Sequence, residues 1–422
     1  MNSPPVYNPS TPGSTTSLPA YSPRDTSRAL GGSRGSTEHK FTLKDKKNKT
    51  RATLKVFSSA PTSTALPTFL EGDKINGSLE LNMSQGEKIS AVSIFVCGEI
   101  TSGAHTRDKF LDISVPLWSR ASGNTPSPAL PGDCRWSFSV SIPKDVVLPD
   151  FERPGGVRTY ALPQTFLERS ARVSAHYFIS AQITRSLFRE DDELQTMFVY
   201  VPALRPEPPS MLRQLAYQEN THIPGPDIDG EGWETLPVVT VKGIVFNDRA
   251  IEVQCVLSLS KPLSYTRGSS IPCSITYLCK DPQALNLLCT PRSIDVRLQR
   301  QINYHTSLSR AGMWAGESAP FRSASETDDS GRAVWWQVDN GPRREEFVKT
   351  FQGEIRLAKT LKPTSAISHF VLTYFVVAMP FEVTGFSSAD TEPLIRQEVN
   401  IGTIFAKGPR PRSYAPRVST EE

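Results

Sequence analysis

Short runs in which apolar and polar residues alternate, each stopped by Gly, Pro, Asn or Asp, recur along most of this chain, and that period-two texture constrains its fold more than any other feature. Side chains of an extended segment leave its two faces alternately, so such runs bury their apolar face only by pairing with one another. In the first half the runs are ATLKVF, KINGSLEL, ISAVSIFVCGEI, WSFSVSI, VSAHYFISAQITR and QTMFVYVP; in the second they are VVTVKGIVF, IEVQCVLSLS, SIPCSITYLC, SIDVRLQRQINY, EEFVKTFQGEIRL, SHFVLTYFVVAM and LIRQEVNIGTIF. Between the two sets lie a proline-rich stretch, RPEPPS, one short helical pattern, MLRQLAYQ, and a polar loop, PGPDIDGEG. A chain of 422 residues exceeds what one core usually organises. The expectation is an all-β protein of two tandem antiparallel β-sandwich domains, residues 51–205 and 236–406, joined by a linker over 206–235. Residues 119–131, 149–163 and 307–344 lack the pattern and are predicted as long surface loops.

Residues 1–38 are rich in Ser, Thr, Pro and Gly and hold no Phe, Trp or Ile, too little apolar surface to offset the entropy of ordering. A disordered N-terminal tail, residues 1–50 with a basic junction at its end, is expected, and a short basic tail over 407–422. The formal net charge is +4, yet residues 1–55 alone hold ten Lys and Arg against three Asp and Glu. The basic character is local, which argues against a nucleic-acid partner. The opening MNSPPVYNPS has no apolar core of the kind a signal peptide needs, and the longest apolar run, Phe370 to Phe381, is too short to span a bilayer. A soluble cytoplasmic protein is expected, its six cysteines as free thiols, since Cys273, Cys279 and Cys289 lack the paired spacing of a zinc or redox site.

The sharpest short motif is Pro4-Pro5-Val6-Tyr7. A polyproline II helix has about three residues per turn, so Pro4 and Tyr7 share an edge and enter one groove together, the way WW domains read proline-rich peptides. A degenerate copy, Leu18-Pro19-Ala20-Tyr21, is placed to engage a neighbouring WW domain. A second feature is the basic run Lys40, Lys44, Lys46, Lys47, Lys49, Arg51 and Lys55, opposed only by Asp45. It suits an anionic lipid surface, an acidic cargo tail or phosphorylated residues, or else serves as a solvated linker. Signals for catalysis fail on inspection. Gly31-Gly32-Ser33-Arg34-Gly35 matches a nucleophile-elbow pattern without the strand-to-helix turn it requires. The acidic run Glu190 to Glu193 reads as a hairpin turn, Trp335 and Trp336 as strand packing, and the six histidines show no ligand spacing. No catalytic residue, metal or cofactor is expected.

The stretch FLEGDKINGSLELNMSQGEKISAVSIFVCGEI resembles the opening of the arrestin N-terminal domain, with its turn at Gly72 and Asp73, its strand glycine at Gly77 and its apolar-Gly step from Val96 to Gly98. GDCRWSFSVSIPKDVVLPDF and ARVSAHYFISAQITR are similar to the family's later strands, and LSLSKPLSYTRGSSIPCSITY, with Tyr265 and Gly268, resembles the start of its C-terminal domain. The likeness spans roughly residues 52–405 and implies sandwiches of arrestin type. The buried charged cluster of visual arrestins is not legible in the sequence. Joined to a PPxY motif, the resemblance points to the α-arrestin branch, although that branch usually carries the motif in a C-terminal tail. It implies an adaptor that links membrane transporters or receptors to a WW-domain, HECT-type ubiquitin ligase for ubiquitylation, endocytosis and sorting, at the plasma membrane or endosomes. The rival within the binding class is a trafficking scaffold resembling the cargo subunit of retromer, which recruits no ligase.

Overall fold

The computed structural model describes residues 36–45, 48–82, 89–103, 106–120, 132–150, 153, 155–185, 191–307, 321–337 and 347–416. Among them the alternating runs form strands, as their periodicity predicts. In the first half, β1 (Thr37–Lys44), β2 (Thr50–Ser58), β4 (Lys74–Asn82) and β7 (Asp133–Ser141) make an antiparallel sheet in the order β1-β2-β4-β7. A five-stranded sheet runs β3-β11-β10-β5-β6, from β3 (Thr68–Leu70), β11 (Asp192–Val201), β10 (Val173–Arg185), β5 (Ile89–Ser102) and β6 (Thr106–Ser119). Here β3 lies parallel to β11, and the other pairs are antiparallel. Apolar side chains from both sheets, among them Leu54, Ile75, Leu79, Val96, Ile179 and Phe198, are fully buried in a common core. Tyr177 stands in it with its hydroxyl donating to the Pro163 carbonyl at 2.7 Å, so burial leaves its one polar atom satisfied.

In the second half one long sheet curls round on itself. Its order is β15-β23-β21-β17-β18-β19-β16-β14-β13-β22. The ranges are β13 (Val239–Val245), β14 (Arg249–Ser260), β15 (Ser264–Thr266), β16 (Ser270–Cys279), β17 (Val296–Ser307), β18 (Phe321–Gln337), β19 (Val348–Arg356), β21 (Phe370–Ala378), β22 (Phe386–Ser388) and β23 (Ile395–Gly402). Strand β18 joins the two layers, since Phe321 to Arg332 pair with β17 while Ala333 to Gln337 pair with β19. Among the described residues no sheet takes strands from both halves.

Several segments depart from the expectation. The tail expected through residue 50 instead holds strand β1 over Thr37–Lys44, because His39, Phe41 and Leu43 face inward while Glu38, Lys40, Thr42 and Lys44 face out. Two expected loops hold paired strands: β9 (Val157–Ala161) pairs with β8 (Asp145–Pro149), and β18 occupies the centre of 307–344. The linker is built in. Its helix α1 (Met211–Glu219) starts at the Ser210 cap and buries Arg213, whose guanidinium donates to the carbonyls of Lys261 at 2.6 Å and of Gly232 and lies over the Trp233 ring. Its last residues form β12 (Trp233–Thr235), which pairs with β14. The chain after β23 is likewise anchored up to residue 416, through Ser413 and Tyr414.

Candidate functional site

The basic run is divided by the pleat of the β1–β2 hairpin. Lys40 and Lys44 project from the outward side of β1, the terminal strand of its sheet, and Lys49 lies exposed in the turn. Asp45 shapes that turn by accepting the Lys49 N–H on its carboxylate at 2.9 Å. Asn48 takes the left-handed conformation there, φ 61°, which Asn tolerates. Lys46 and Lys47 lie outside the described residues. Lys55 is opposite Lys40 but donates to Glu80 at 2.7 Å, and this hydrogen bond holds the Glu80 carboxyl below the usual carboxylate range. Arg51 stands 3.7 Å from Asp192, which Arg185 also binds. The five described cations are therefore not gathered in one cluster. Lys40, Lys44 and Lys49 are presented to solvent, whereas Arg51 ties β2 to β11 of the other sheet and Lys55 ties β2 to β4. Pro4, Pro5, Tyr7, Leu18, Pro19 and Tyr21 lie outside the described residues, as does the Gly31–Gly35 pattern.

A second charged constellation, which sequence reasoning missed, lies where the two halves meet. The segment between β9 and β10 brings Gln164, Thr165, Phe166 and Glu168 against the curled sheet. Arg300 of β17, nearly buried, donates to Glu168 at 2.9 Å and in bidentate fashion to Asp328 of β18 at 3.0 and 2.7 Å. Burial alone would lower its pKa, but the bonds to these two carboxylates prevail and raise it above the ordinary value. Arg267 donates to the Gln164 side chain at 2.8 Å and Lys362 to the Thr165 carbonyl at 3.2 Å. Burial, with Arg267 and Arg300 nearby, depresses the Lys362 pKa against the pull of Glu168. Phe166 packs on Phe370 with ring centroids 5.5 Å apart.

Along the same seam Ser102 donates to the His305 carbonyl at 2.5 Å, and Tyr304 and the Arg172 N–H both donate to Glu326, at 2.6 and 3.3 Å. His369 reaches Asp108 at 3.2 Å and stacks on His305 with centroids 5.5 Å apart. Burial lowers the His369 pKa, aided by His305 and opposed by Asp108. The arrangement resists shear between the halves. The Ser368 hydroxyl lies 3.2 Å from the other ring nitrogen of His369, Nδ1.

Among the described residues no group of three His, Cys, Asp or Glu is placed to hold a metal ion. The six cysteines form no disulfide, and burial pushes the Cys97 thiol up to about 11 and Cys255 up to about 12, disfavouring the thiolate at these two positions. Trp335 is buried in β18 with its ring over Gly353. Asp191 and Asp192 close the β10–β11 hairpin by binding Arg185. No helix among the described residues is long and apolar enough to cross a membrane. No protein-family model matches the chain, and no curated protein matches it.

Proposed function

We propose that this chain is a non-catalytic adaptor of the arrestin-like kind. Its N-terminal motif recruits a WW-domain, HECT-type ubiquitin ligase, and its β1–β2 hairpin engages acidic cytosolic tails of membrane transporters or receptors, with anionic lipid as a secondary contact. The observation that supports this reading most is the hairpin itself: a strand at the end of a sheet carries outward lysines, and the segment leading into it bears Pro4-Pro5-Val6-Tyr7. Ligase recruitment and cargo contact would then be carried by neighbouring segments of the sequence. Such an adaptor would work at the cytoplasmic face of the plasma membrane or endosomes.

Calorimetry of the full chain against single and tandem WW domains tests the ligase arm. Each aromatic or proline anchor in a small peptide interface carries more than about 1 kcal/mol, so Tyr7→Ala or Pro5→Ala should weaken binding tenfold or more without changing thermal stability. Tyr21→Ala should matter mainly with a tandem domain, where the second site adds effective concentration. Equal affinity of wild type and Tyr7→Ala would remove the ligase and favour the scaffold without one.

A further inference from the structure

We propose that Ser413 is a phosphorylation site that detaches the C-terminal segment from the second half of the molecule, an inference independent of ligase recruitment. The segment after β23 has no regular secondary structure, yet it is held at a few defined points. Ser413 Oγ and the Tyr414 N–H both donate to the carboxylate of Glu354, the latter at 3.0 Å. Glu354 sits in β19, is only 3% exposed, and receives one further bond, from Ser270 at 3.3 Å. The Tyr414 ring stacks on Tyr217 of α1, and its hydroxyl donates to the Ala216 carbonyl at 3.4 Å. Arg412 donates to Asn220, the left-handed cap of α1, at 2.8 Å. Beneath lies a cleft lined by His222, Trp233, Trp336, Gln352, Glu354 and Tyr414.

The Ser413 residue is exposed even though its hydroxyl is engaged, and Arg410 and Arg412 stand three and one residues before it. Arginines at those spacings suit a serine/threonine kinase whose peptide groove is lined with carboxylates. In the transfer, the γ-phosphoryl group of a nucleoside triphosphate passes to Ser413 Oγ. The new P–O bond forms as the bond to the bridging oxygen breaks, the hydroxyl proton goes to the kinase's base, and the diphosphate leaves with the electron pair. The product carries a charge of about −1.5 to −2 at neutral pH where a hydroxyl had donated to a buried carboxylate, and like charges at that separation repel. Both arginines have other partners, since Arg412 holds Asn220 and Arg410 lies over the Phe405 ring at 4.9 Å. The segment is thus released, and the Tyr217 ring is bared.

The test uses the full chain, adenosine triphosphate and an arginine-directed serine/threonine kinase, with hydrogen exchange read at the Tyr414 amide and over residues 405–416. Phosphorylation should map to Ser413 and raise exchange there at least tenfold, while Ser413→Ala stays unmodified and protected. In Glu354→Gln the neutral amide removes the repulsion, so phosphate should change protection less than about threefold. If that variant does not fold, pH replaces it: phosphate loses a charge below about pH 6, and protection should return on acidification. Stoichiometric phosphate with unchanged Tyr414 protection, or refusal of Ser413 by a kinase that modifies a peptide of residues 407–416, would overturn the proposal.

Discussion

Single side chains at the seam and in the strands set local tolerances. Arg300 satisfies two carboxylates from different parts of the chain, and Arg300→Met would take from Glu168 and Asp328 the cation they share. Breaking a buried pair typically costs about 3–5 kcal/mol, but Asp328 is half exposed, so a loss of about 2 kcal/mol is expected. Denaturant unfolding checks the size, and adding Glu168→Gln should recover part of the loss; strict additivity would mean that the two do not interact. Glycines here meet two different needs. Gly72 and Gly268 take φ of +89° and +83°, a conformation that favours glycine. Gly77 instead lies mid-strand, where a Cβ would stand 2.5 Å from the Phe138 ring, so the need is for space. Gly353→Ala meets the same obstacle in Trp335 at 2.4 Å and should destabilise by about 1–3 kcal/mol.

At the scale of elements, the β1–β2 hairpin lets its proposed anion binding be tested apart from stability. Lysines near an anionic surface contribute about 1 kcal/mol each, so replacing Lys40, Lys44 and Lys49 by Gln should weaken association with phosphatidylserine vesicles roughly a hundredfold at low salt. Melting temperature should hold. Lys55→Gln should do the reverse, leaving vesicle binding intact and letting the Glu80 carboxyl titrate higher. Because the folded Glu80 value is depressed, its contribution exists above the ordinary carboxylate pKa and fades as pH falls through the folded one. Carboxyl NMR on Glu80 in both proteins reads this directly. Most strands were legible because burial on one face leaves alternation behind. In Thr37 to Lys44 the charges mask an inward series of His39, Phe41 and Leu43, and β18 is hidden because the middle of FRSASETDDSGRAVWWQ, RSASETDDSGRA, holds no large apolar residue. The seam could not be read at all. Arg300 and Glu168 are 132 positions apart, and no local period records a contact made by folding.

The whole molecule should respond to acid through that seam. His369 is held below its ordinary pKa chiefly by burial, so the unfolded chain takes up a proton at higher pH than the folded one does. Stability supported by the neutral ring is complete above about 6.5 and declines as pH falls toward the lower folded value. Thermal unfolding between pH 7.5 and 5 should show a steeper loss in wild type than in His369→Gln; equal slopes would place the acid sensitivity elsewhere. The short strands β3 and β15 carry a further consequence. Each lies near the start of its half but runs parallel to that half's last long strand, Thr68 to Leu70 beside Val199 to Val201, and Ser264 to Thr266 beside Asn400 to Gly402. On the ribosome, neither half can close until its final strand has emerged, and contacts so distant in sequence form slowly. The nascent chain must wait with β3, and later β15, lacking its partner, which makes synthesis the interval in which this protein most depends on chaperones.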